Sequence, residues 1–154
     1  MKFYSNQIQA IVESINQKNT TALLIYGQDH GLVNHTLKQI ASKIGFEVRN
    51  IDYLEVSFDE LGSVLSNLSL FGNSEIVCVR NMPATPDAKL KELFKILHYN
   101  LLVILSDELP PSSGLRKFFE SENNLVSVAC YHDNEKSIAS LIKEYCIKYK
   151  KVID

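Results

Sequence analysis

Four stretches constrain the fold most: ALLIY at 22–26, EIVCV at 75–79, LLVIL at 101–105 and LVSVA from Leu125. Each is a nearly unbroken apolar run of strand length, and helical patterns separate them. A strand that packs on one face alternates apolar and polar residues, whereas a strand covered on both faces reads as a continuous run. The helical patterns are equally clear. Ile8, Ile11, Val12 and Ile15 form one stripe, with Ser5 or Asn6 as its cap. Val33, Leu37, Ile40, Ala41 and Ile44 form a second, ended by Gly45. Ser57 and Glu60 make a capping box ahead of Leu61, Val64, Leu65 and Leu68. Leu90, Leu93, Phe94 and Leu97 follow; Leu115, Phe118 and Phe119 come after the Pro110-Pro111 break. FEVRNID, from Phe46, supplies one further strand. The alternation predicts an α/β domain: an open, mostly parallel five-stranded sheet with helices on both faces.

The chain has 154 residues, enough for one domain with a substantial core. A formal net charge of −2 argues against a protein whose main task is gripping a nucleic-acid backbone. Cys78, Cys130 and Cys146 are widely spaced and odd in number, which disfavours a disulfide framework and suits a reducing cytoplasm. No stretch approaches the ~20 apolar residues of a membrane span, and the first residues have no apolar run of signal-peptide type.

The strand tip at LIYGQDHGLVNHT is the natural place to look for a ligand, because open parallel sheets bind ligands beyond the carboxyl ends of their strands. A phosphate loop of the form GxxxxGK[ST] needs a lysine and a hydroxyl directly after its second glycine. Here Leu32 and Val33 follow Gly31, the nearest lysine is Lys38 in the helix, and Asp29 brings negative charge. The dinucleotide pattern GxGxxG is also missing. A tight turn and helix start is the reading these residues favour. Asp107 and Glu108, after LLVIL, stand where magnesium-organising carboxylates are displayed, but they equally suit a solvated strand end. His30, His35, His98 and His132 lack metal-ligand spacing. No catalytic, metal-binding or cofactor-binding residue is expected.

NLSLFGN, residues 67–73, stands out differently. Leu70 and Phe71 fall in a short connection between a helix and the turn at Gly72-Asn73. Two readings fit: a contact that closes the helix against its own last turns, or a projecting anchor that fills a pocket on another protein.

Several segments, in order, resemble the delta subunit of the bacterial DNA polymerase III clamp loader. They are LLIYGQDHGLVNHTLKQIA, NLSLFGNSEIVCVRN, LLVILSDELPPSSGLRKFFE and YHDNEKSIASLIKEYC, and they cover nearly the whole chain. The resemblance implies a degenerate AAA+, P-loop-like domain that has lost ATP binding and carries no catalysis of its own. It implies that Leu70 and Phe71 insert into the hydrophobic pocket of the ring-shaped sliding clamp, the beta subunit. Leu68 matches a flanking contact, although it also continues the helix stripe. It further implies residues 1–133 as the clamp-binding domain and 134–154 as the start of a helical lid. Family members are about twice this length, so a fragment or a short member is expected. Other loader subunits would join through regions beyond this chain, and DNA would be met only indirectly. The alternative is a divergent P-loop-like nucleotide-binding enzyme built on the Gly27–Gly31 turn and Asp107.

Overall fold

The computed structural model describes residues 1–17, 20–68 and 72–131. Within them the chain runs β1 (Lys2–Tyr4), α1 (Ile8–Asn16), β2 (Ala22–Tyr26), α2 (His30–Ile44), β3 (Glu47–Asp52) and α3 (Phe58–Ser66). It continues through β4 (Glu75–Arg80), α4 (Ala88–Lys95), β5 (Leu101–Ser106), α5 (Gly114–Ser121) and β6 (Leu125–Ala129). The strands form one sheet in the order β1-β6-β2-β5-β4-β3, and all neighbours are parallel.

The unbroken apolar runs have a direct cause. Along β2, Ala22, Leu24 and Tyr26 enter a core with Leu61 and Leu65 of α3, Leu90 and Phe94 of α4, and Leu115 and Phe119 of α5. Leu23 and Ile25, pointing the other way, meet Ile11 of α1 and Val33, Leu37, Ile40 and Ala41 of α2. The same division holds for β4, where Val77 and Val79 oppose Ile76 and Cys78, and for β5, where Leu102 and Ile104 oppose Val103 and Leu105. Each fully buried Leu, Ile or Val contributes about 1.5–3 kcal/mol relative to leaving it in water, so central strands tolerate no polar face. The edge strand β3, with Glu47, Arg49 and Asn50 exposed, resists pairing with a further strand.

Helix ends follow the local chemistry. Gly45 adopts a left-handed φ of 75° and its N–H donates to Ala41 O at 2.9 Å, which stops α2. Ser57 Oγ accepts from Glu60 N at 3.1 Å and starts α3. Asp87 does the same for α4 through Leu90 N.

Four expectations need correction. The sheet has six strands, not five, and is parallel throughout; β1 is only three residues long and its burial comes from its neighbour β6, so its own sequence carries little signal. The first helix is preceded by Gln7, with no side-chain cap from Ser5 or Asn6; Gln7 Oε1 instead accepts from Tyr4 N at 2.8 Å. Leu68 does not continue the α3 stripe, because the helix ends at Ser66 and Leu68 is 46% exposed. Leu97 likewise lies beyond α4 and is 61% exposed. The helical lid expected to start over 134–154, and with it the boundary near residue 133, lies outside the described residues.

Candidate functional site

Two places could carry function: the strand tips around Gly27, and the opposite end of the sheet, where α3 connects to β4.

At the tips, β2 has β5 on one side and β6 on the other, and the helices that follow β2 and β5 pack on opposite faces. This is the topological switch point at which open α/β sheets bind ligands. A hollow of about 370 Å³ lies there, lined by residues of α2, the β4 end and the β5 end. Polar side chains in and beside it bond to one another or to the backbone. Asp29 Oδ1 accepts from Gly31 N at 2.9 Å and Leu32 N at 3.2 Å, placing a carboxylate on the amides that would otherwise face a phosphate. His30 Nε2 meets Asp107 Oδ1 at 2.5 Å. Arg80 donates to Asn34 Oδ1 at 2.8 Å, and Asn81 Nδ2 to Asp52 Oδ1 at 2.9 Å. The Asn81 bond, joined by one from Leu54 N–H, holds the Asp52 carboxyl below its ordinary value. Lys38 is exposed on α2 and Gly27 packs directly on the backbone of Cys130. Among the described residues, no group of three or more His, Cys, Asp or Glu is arranged to hold a metal ion.

The other end of the sheet is built around one residue. Asn100, 3% exposed, stands just before β5. Its Nδ2 donates to Val64 O at 2.8 Å and to Asn67 O at 2.7 Å. Its Oδ1 accepts from Glu75 N at 2.9 Å, and its own N–H donates to Leu65 O at 3.1 Å. One side chain thus ties the last carbonyls of α3 to the first amide of β4. Leu68 emerges immediately after the tied residue Asn67. Leu70 and Phe71, the expected anchors, lie outside the described residues. Beside this junction is a more apolar groove of about 760 Å³, whose walls include Ser66 and Ser74 as well as Leu97 and Tyr99. Ile96, Leu97 and Tyr99 are 51%, 61% and 67% exposed, so large apolar surface meets water here. Sequence reasoning did not single out Asn100. Its one signal is a polar residue placed directly against the most apolar strand of the chain.

An open parallel sheet covered by helices on both faces, with the first turn of α2 capped by its own Asp29 carboxylate, defines a doubly wound α/β domain. No family model matches the chain. The probable DNA polymerase III subunit delta of Rickettsia prowazekii (strain Madrid E) is 31% identical over 153 residues, which cover 99% of this chain and 48% of that protein. The solved DNA clamp loader delta protein of Bacillus subtilis has the same fold, with a TM-score of 0.59 at 16% identity over 96% of this chain and 49% of its own. Over nearly its whole length the chain is thus similar to a DNA polymerase III delta subunit, and it spans about half the length of the relatives it matches.

Proposed function

We propose that the chain is the clamp-binding part of a delta subunit, a non-catalytic component of the clamp loader that binds the sliding clamp and opens its ring during DNA replication. The observation that carries this reading is the match to a delta subunit along 99% of the chain. The Asp29 cap on α2 agrees with a subunit that uses no nucleotide of its own. Leu70 and Phe71 are the anchors, and Leu68, exposed next to them, is the flanking contact. Residues 1–133 form the clamp-binding domain and 134–154 begin a lid. The other loader subunits are partners through regions outside this chain, and the protein works in the cytoplasm.

The physics suffices without chemistry in this subunit. Burying a Leu and a Phe is worth roughly 3–6 kcal/mol together, and about 1.4 kcal/mol is tenfold in affinity. A ring is opened by any partner that binds its open shape more tightly than its closed one. The direct test is co-elution of the purified chain with the purified sliding clamp on a sizing column. A shared peak supports the reading. Separate elution at concentrations well above micromolar counts against it.

A further inference from the structure

We propose that Asn100 is a positioning residue for clamp binding: its amide ties Asn67, just after α3, to Glu75, at the start of β4, the two points between which Leu70 and Phe71 lie in the sequence. The proposal rests on the clamp-binding reading above and adds to it a residue remote from the anchors in sequence.

The geometry is specific. Asn67 and Glu75 flank the connection, and the same amide holds Asn67 O at 2.7 Å and Glu75 N at 2.9 Å. Val64 O and Leu65 O extend the hold back into the last turn of α3. These are carbonyls that a helix C-terminus leaves without intrahelical partners. The task demands two donors and one acceptor on a short stem, which an asparagine supplies. An aspartate offers no donor, and a serine offers one. Because Asn100 leads directly into β5, the buried strand between β2 and β4, the tie is anchored to the middle of the sheet.

The consequence for binding is entropic. An anchor on a loosely closed loop loses more freedom when it docks than one whose loop ends are already fixed. Removing the amide frees the junction at both ends and weakens binding even though Asn100 need not touch the partner. A merely structural role would lower stability and leave the affinity of the folded chain unchanged.

The test uses the full chain and the purified sliding clamp in a calorimetric titration, with Asn100→Ala and Asn100→Asp. The second variant keeps the acceptor for Glu75 N–H and loses both donors, so the pair separates the tie to β4 from the tie to α3. Folded variants are expected to bind about 3- to 30-fold more weakly. The loss should shrink at least threefold in a Phe71→Ala background, where less anchor remains to be positioned. Hydrogen exchange should quicken across 67–75 while the amides of β2 and β5 stay protected. Wild-type affinity in a folded Asn100 variant overturns the proposal, and so does a loss of equal size in the Phe71→Ala background. If both variants unfold, exchange in the wild type decides: a protected Glu75 amide supports the hold, and free exchange there overturns it. The underlying reading fails separately, if Leu70→Ala with Phe71→Ala leaves clamp affinity unchanged.

Discussion

Gly27 lies directly against the carbonyl oxygen of Cys130, so close that a Cβ at position 27 would overlap it. The contact accompanies the step from β2 to its loop, where Cys130 N–H donates to Tyr26 O at 2.8 Å. The glycine that looks like part of a phosphate loop is thus required by the packing of two parallel strand ends. Gly27→Ala should destabilise the fold by about 1–3 kcal/mol, the usual range for overpacking. Urea unfolding of the chain without nucleotide measures this. An unchanged midpoint would return the glycine to a ligand-binding role.

Asp29 is the second residue of that loop with a structural duty. Its carboxylate accepts from Gly31 N and Leu32 N at the start of α2. Asp29→Ala should cost about 1 kcal/mol, as for other N-caps. The wild-type chain should show no saturable heat on titration with ATP or GTP. Micromolar binding that vanishes on mutating Gly27 or Asp107 would instead favour the nucleotide-binding enzyme.

Cys78 and Cys130 are buried, and burial pushes both thiols up to about 11 from an ordinary 9.0. At pH 8 neither should react with iodoacetamide until the chain unfolds, as peptide mapping would reveal. The linkage has a definite sign. Unfolded thiols ionise near 9.0 while the folded ones keep their protons to about 11, so stability is full below pH 9 and declines as pH rises towards 11. Rapid native labelling of either residue would contradict its burial.

Arg116 makes a fourth test. It is 8% exposed, donates from Nη1 to Leu109 O at 2.8 Å and from Nε to Glu120 Oε1 at 2.9 Å, and lies 5.2 Å from the centre of the Tyr26 ring. Arg116→Met keeps much of the packing but leaves the Leu109 carbonyl without that donor. A loss of about 1–3 kcal/mol is expected in chemical denaturation, with clamp binding retained by the folded fraction. No change in stability would mean that its bonds to Leu109 O and Glu120 contribute nothing net to the fold.

The core was legible because its signal is local. Ile25 and Leu24 are both apolar since the sheet is covered on both sides, and that pattern reads directly from β2. Gly45 and Ser57 were legible for the same reason, as each acts on its own helix end. β1 was missed because it is ordered by β6, more than a hundred residues away in sequence. Leu68 and Leu97 fit helical spacing but fall past the helix ends, where periodicity no longer says which way a side chain faces. Asn100 was invisible for a further reason. Its meaning lies in hydrogen bonds to α3 and β4, which no spacing in the chain encodes. The lack of a phosphate motif was plain from Leu32 and Val33, and so was the charge of Asp29, whereas its bonds to Gly31 N and Leu32 N arise only in the folded turn.

The central claim is that the connection between α3 and β4 carries the contact with a ring-shaped clamp. Titrating the purified clamp with wild-type chain and with Leu70→Ala, Phe71→Ala tests it most directly. The double substitution should weaken binding by about two to four orders of magnitude and leave the thermal unfolding of the chain cooperative. Equal affinity for the two proteins, both folded, would contradict the account.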